Sequence, residues 1–464
     1  MPVSPPPNGA IQPLWDAAAD LQALTSYAAA AKVYEQLAAL TPQDAPALLA
    51  MGDIYLAQRR WPLAEDAFNR ALARDGGNER ALAGLAAARW EQGDRTQALR
   101  LWEQALTQPP VGGEDPAPSF DRSDLRLRLA LAYLDMGRLD DAQTMLAQAQ
   151  APGDNPAAHL YLAMMLTIED TGRARRELAA IPGGGPAAVV AMRDYLLSAL
   201  DRAEAAGSPP EAARTLGLAL IQIEEWQLAR TLLERALALD PADTEAMAYL
   251  GHAEAQLGRP AFAHLAGAVA AQPDWPLGHY LLGLYYLKQR AFDYAAEELR
   301  VTLRLDPGNA QAEVDLARAY MGQGQYLAAE EALVRAVEAA PGDLTFHLAL
   351  ARFYADHAFR VSDRGLAAAQ AAADLAPDDP QARDLLGWMY FLAGDAARAR
   401  LHLESALRLD AGLASTYYHL GMLRQRLGET EAARFAFLRA VDLDRDGFYR
   451  DQAQAALRQM DEAP

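Results

Sequence analysis

The chain has 464 residues, 52% of them hydrophobic and 8% aromatic, with no cysteine and a formal net charge of −20. The lack of cysteine excludes disulfides and thiolate metal centres. The acid excess, with no basic stripe to offset it, argues against phosphate backbones and anionic membrane surfaces.

The opening segment, MPVSPPPNGAIQPLW, has neither a basic n-region nor an apolar h-region and is not read as a signal peptide. Its prolines predict a short disordered lead over residues 1–10. From there a pattern recurs every 34 residues, seen by setting Ala45–Asn78 beside Ala310–Asp343. Units start near Ile11, Ala45, Glu79 and Ser123, and again at Pro210, Thr244, Pro276, Ala310, Leu344, Pro380 and Ala414. Position 8 of a unit is always small, as in Gly52, Gly217, Ala317, Gly387 and Gly421. Position 20 is alanine in most units, and a proline closes many of them, including Pro241, Pro307 and Pro341.

These positions predict pairs of antiparallel helices, A then B, joined by a tight turn. Small residues at 8 and 20 let the two backbones approach, and bulky residues at 11 and 24 fill the space beside them. Glycine near position 15, as in Gly93, Gly137, Gly324, Gly394 and Gly428, ends helix A at little steric cost. The closing proline cannot continue helix B and restricts the residue before it. Alanine-rich composition with few β-branched residues supports helix throughout, and no apolar run reaches the ~20 residues of a spanning helix.

The pattern is interrupted in three ways. Residues 108–122 insert a loop after the Glu79 unit. Ala151–Pro186 reads as a degenerate helix pair, followed by a lone amphipathic helix around Ala187–Ala205. Near their A–B turns, the Thr244 unit lacks two residues and the Leu344 unit has two extra. The run Pro182-Gly183-Gly184-Gly185-Pro186 combines backbone freedom with a helix stop. The expected organisation is therefore a first array over 11–181, a hinge and linking helix over 182–209, a second array over 210–446, and a capping helix and tail over 447–464.

Eleven near-matches to this code, covering roughly four fifths of the chain, resemble the tetratricopeptide repeat (TPR) family. The resemblance implies an all-α, right-handed solenoid of about eleven helix pairs, with A helices lining a concave face that binds proteins. On that footing positions 2, 5, 9, 12 and 13 point inward. In the second array they supply Tyr280, Leu284, Leu287, Met321, Trp388, Phe391, Tyr418 and Met422, with the cations Arg318 and Arg352 among them. Large apolar groups interspersed with charge suit an interface hot spot, although several would also pack between neighbouring A helices. Trp388 and Phe391, three apart on one helical face, are the strongest candidates for partner contact. The lysine and asparagine pattern of a chaperone-binding carboxylate clamp is missing: of the two lysines, Lys32 and Lys288, only the second falls on an A helix.

No catalytic signature is present: there is no phosphate-binding loop, no H-E-x-x-H and no nucleophile elbow. The eight histidines are scattered and read as surface or packing residues. One metal alternative exists, because Asp442, Asp444 and Asp446 occupy the first, third and fifth positions of a calcium loop. Its twelfth position is Ala453, where such loops use a bidentate glutamate. The sequence thus predicts a non-catalytic scaffold or adaptor, without cofactor, cytoplasmic, binding a protein or peptide and not nucleic acid, with no direct membrane insertion. The alternative is an accessory subunit of an envelope, secretion or enzyme assembly.

Overall fold

The computed structural model describes residues 11–23, 27–41, 45–108, 122–150, 155–444 and 447–462. The N-terminal lead, most of the inserted loop and Asp446 lie outside them. Among the described residues all regular structure is helical, with 26 α-helices and a short π-helical turn, Val361–Gly365. Twelve helix pairs account for most of these, the twelfth being the degenerate pair Pro156–Leu166 and Thr171–Ala180. Two helices stand alone, Ala187–Glu204 and the final Phe448–Glu462.

The pairs with glycine at position 8 of helix A share one repeated contact: the side chain at position 24 of helix B lies against that glycine. A Cβ added at Gly387 would stand 2.7 Å from Leu403 Cγ; one at Gly421 would stand 2.5 Å from Phe437 Cε1, and one at Gly217 2.9 Å from Leu233 Cγ. Phe68 goes further, because its ring also covers Gly84 of the following unit, where an added Cβ would come within 2.3 Å. The alanines at position 20, such as Ala64, Ala229, Ala329 and Ala399, are fully buried.

The A–B turn has its own rule. Position 15 adopts a positive φ in all ten units whose turn is described. Six use glycine there, Gly93, Gly137, Gly258, Gly324, Gly394 and Gly428, while Arg59, Glu224, Arg290 and Ala358 hold the same left-handed conformation. In several units the A helix then starts on a cap at position 34 of the unit before. Asn78, Asp243, Asn309 and Asp379 each accept a backbone N–H from the first turn, at 2.8–3.0 Å. A side-chain oxygen at that place satisfies a donor with no partner inside the helix.

The chain forms two compact units, Met1–Pro241 and Ala242–Pro464. In the first, one apolar core spans Ala18 to Ala88 and another runs from Leu82 to Leu232. The second core passes through the 182–209 segment, where Leu196, Ala199 and Leu200 of the lone helix are buried and Tyr195 donates to the carbonyl of Ala219. In the second compact unit a core spans Ala295 to Met389, with smaller clusters on either side of it in sequence.

Candidate functional site

Every predicted groove residue falls in the second compact unit, on five A helices: Pro276–Lys288, Ala310–Gly322, Leu344–Asp356, Pro380–Leu392 and Ala414–Arg426. Tyr280, Leu284, Leu287, Met321, Trp388, Phe391, Tyr418 and Met422 are all half-buried, while Arg318 and Arg352 are exposed. The apolar members thus share their surfaces between packing and solvent. More exposed large hydrophobic side chains, such as Tyr294, Leu327, Leu401 and Phe435, sit on B helices instead.

Consecutive A helices are linked about one repeat apart. Tyr280 donates to Asp315 Oδ2 at 2.9 Å, and the other oxygen of that buried carboxylate accepts from Arg318 at 2.9 Å. Burial, then the Asp315 charge, raises the Tyr280 hydroxyl well above its ordinary range. Arg318 is therefore tied at its base although its head reaches solvent. Lys288 donates to the carbonyls of Ala255 and Gln256, at 2.7 and 3.3 Å. It caps the negative end of the preceding A helix.

The densest arrangement lies on the last three A-helix positions and the final helix. Trp388 stacks on Phe391 with ring centres 4.8 Å apart, and on His419 at 4.2 Å. Tyr418 approaches Trp388 at 6.3 Å and Tyr449 of the final helix at 5.8 Å. His419 is held from behind: its Nδ1 donates to Asp384 Oδ1 at 2.9 Å, and both side chains are 5% exposed. The Arg426 guanidinium lies 5.4 Å from the centre of the Phe391 ring. Met422 packs with Tyr418 against the cluster formed by Phe437 and the final helix.

Charge surrounds this aromatic group. The Tyr449 hydroxyl is pushed up to about 12 by burial and then by the carboxylates of Asp384 and Asp356, with Arg352 acting in the opposite direction. The carboxyl of Asp356 is raised by the atoms crowding it, against the pull of Arg352, His357 and His419. Much of the Asp356 side chain remains open to solvent, so the crowding comes from neighbouring walls and not from enclosure. Asp356 thus acts electrostatically on His419, two units further along the chain, and with Arg352 on Tyr449 of the final helix.

Sequence reasoning singled out Trp388, Phe391 and Tyr418 and did not name Tyr449, which packs beside Tyr418, because the final helix has no repeat register to mark an inner face. It read His419 as packing and gave no role to Asp356, at position 13 of its unit. At the calcium-like loop, Asp444 Oδ2 accepts the backbone N–H of Arg450 at 2.7 Å and so anchors the final helix. Among the described residues no group of three histidine or carboxylate side chains converges as metal ligands.

Comparison with known proteins gives concordant matches. Three tetratricopeptide repeat models match residues 89–165 and 286–356, residues 16–79 and 214–263, and residues 414–446. A curated relative, "Cellulose synthase operon protein C" of Xanthomonas axonopodis pv. citri (strain 306), is 30% identical over 225 residues, which are 47% of this chain and 13% of that protein. Among solved structures, yeast Tom70 aligns over 98% of this chain and 96% of its own at 14% identity, with a TM-score of 0.42. A tetratricopeptide repeat protein of Parabacteroides merdae ATCC 43184 aligns over 55% of this chain and all of its own at 17% identity, with a TM-score of 0.44. Family models that together span more than half the residues, on helix pairs repeating every 34 residues, establish that this chain belongs to the tetratricopeptide repeat family.

Proposed function

We propose that the protein is a non-catalytic scaffold whose second compact unit binds a segment of a partner protein along its A helices, centred on Trp388, Phe391, Tyr418 and Tyr449. The observation that carries this reading is the stacked aromatic group shared by two consecutive A helices and the final helix, half-buried and not sealed. Aromatic side chains held by their neighbours present a large contact area with little entropy left to lose on binding. The cytoplasm is proposed as its compartment, and a protein segment as its ligand in preference to nucleic acid.

The test is co-purification of the full chain with its partner, followed by affinity measurement on the Trp388→Ala, Phe391→Ala double variant. Loss of at least tenfold in affinity, about 1.4 kcal/mol, with helicity unchanged is the expected result. Unchanged affinity in a folded variant would remove the wall from the binding site.

A second reading is an accessory role in an envelope or enzyme assembly. It is supported by the relative named for a cellulose synthase operon, of which this chain matches 13% of the length. Recovery of a membrane-associated or catalytic subunit as the partner would favour it.

A further inference from the structure

Position 4 of the A helix is a recurring point of contact with the chain that leads into it. In three units its side chain donates to the carbonyl of the closing proline six residues earlier. His279 Nε2 reaches Pro273 at 2.8 Å, His347 Nε2 reaches Pro341 at 2.9 Å, and Arg383 Nε reaches Pro377 at 2.8 Å. Arginine fills the slot as a permanent cation, and a histidine needs only one N–H to do so. His279 differs, because its ring is buried and its second nitrogen is also engaged: Nδ1 meets Glu298 Oε2 of helix Phe292–Leu305 at 2.6 Å. Both nitrogens thus face acceptors, a carboxylate and a carbonyl, neither with a hydrogen to give. A neutral imidazole can satisfy one of them; the imidazolium donates to both.

We infer that His279 and Glu298 form a proton-dependent clasp on the start of helix Pro276–Lys288. With the ring doubly protonated, the clasp ties that helix to the loop before it and to the helix after it. Loss of one ring proton to solvent leaves a lone pair of the imidazole against a lone pair of Glu298 or of the Pro273 carbonyl, and one tie is released. Among the described residues no other ionisable group pairs with the ring. Of the groups on the elements packed around this helix, His264 is paired with Glu254, Asp315 is held by Tyr280 and Arg318, and Arg300 lies on the Tyr320 hydroxyl. Glu297, beside Glu298, acts with it on the hydroxyl of Tyr286, and Asp274 follows the acceptor proline. The sign follows from the contact: folding uses the proton, so local stability is complete at the acid end of the range where histidine titrates, about pH 5–8, and is lost as pH rises through it. The helix so loosened carries Tyr280, Leu284 and Leu287.

The experiment measures amide hydrogen exchange across residues 273–282 of the full chain between pH ~5.5 and ~8, corrected for the intrinsic rate at each pH. Protection in the wild type is expected to fall several-fold over that range. Glu298→Gln is the control, because its amide donates to Nδ1 and a neutral ring protonated at Nε2 then keeps both contacts. Its protection should not change with pH. A second reading needs no folded variant beyond assignment: nitrogen spectra of the histidine-labelled chain, with His279 identified through His279→Gln, should show both ring nitrogens protonated at pH ~5.5 and one of them bare at ~8. A neutral His279 ring at the acid end overturns the inference. So does a loss of protection with pH that is as large in Glu298→Gln as in the wild type, or protection that stays constant while the ring loses its proton.

Discussion

Two backbone positions in each repeat respond to substitution in opposite ways, and the local geometry sets the sign. At position 15 the left-handed conformation costs a residue with a Cβ roughly 1–2 kcal/mol, while glycine there loses about 0.5–1 kcal/mol more chain entropy on folding. The steric term is the larger, so Arg290→Gly, at φ 58°, should stabilise the protein by about 0.5–1 kcal/mol in denaturant melts. At position 8 the argument reverses. Gly387→Ala would ordinarily gain helix stability, but its Cβ would sit 2.7 Å from Leu403 Cγ and 3.0 Å from the Leu403 backbone nitrogen. Overpacking of that kind costs about 1–3 kcal/mol, so a lowered melting midpoint is expected. Asp356 illustrates the electrostatic counterpart. Its carboxyl is raised on folding, so the folded state binds more protons than the unfolded one between the ordinary and the raised values. Stability falls as pH rises through that window, and the full penalty persists above it. Asp356→Asn should therefore raise the midpoint at neutral pH, with the gain shrinking on acidification towards pH ~4.

Helices here are joined by specific polar contacts as well as by alanine packing. The two extra residues of the Leu344 unit form the π-helical turn Val361–Gly365, entered through Ala358 and Arg360, both at positive φ. That turn has a partner. Glu330, buried on helix Tyr326–Ala339 of the preceding unit, accepts from Tyr354 at 2.6 Å, Arg360 at 3.0 Å and Arg364 at 3.1 Å. The insertion thus brings two arginines onto a carboxylate that a regular turn would not reach. Breaking a buried pair costs about 3–5 kcal/mol, but both arginines are partly solvated, so solvent screening reduces the figure. Glu330→Gln is expected to destabilise by about 1–2 kcal/mol, with amide exchange rising first across residues 358–366. At the helix starts, Asn309→Ala removes the acceptor of the Ala312 N–H and should cost about 1 kcal/mol.

For the molecule as a whole, the net charge of −20 acts at long range on any cationic partner. Association should slow and weaken as salt rises from ~0.05 to ~0.5 M, since the Debye length shrinks below the reach of surface charge. Stopped-flow association rates against ionic strength would check this, and a rate rising with salt would mark the partner surface as acidic instead. The repeat code made the helix pairs and their turns readable because its rules are local. A small residue at position 8, an alanine at 20 and a turn at 15 are each required by backbone approach or dihedral angle within a single unit. The cap at position 34 was equally present in the chain, in Asn78, Asp243, Asn309 and Asp379, but belongs to the helix of the next unit and was not read. The arrangement around Trp388 was beyond any such rule. Asp384, His419 and Tyr449 come from three helices, and they meet because successive hairpins stack, not because of any spacing along the chain. Stacking also gave Phe68 a second glycine, Gly84, and the lone helix after the glycine run shares one apolar core with the helices around it. Periodicity reports what each hairpin needs to form; side chains converging from separate hairpins depend on how those hairpins pack, and packing energy is distributed over contacts that no single repeat contains.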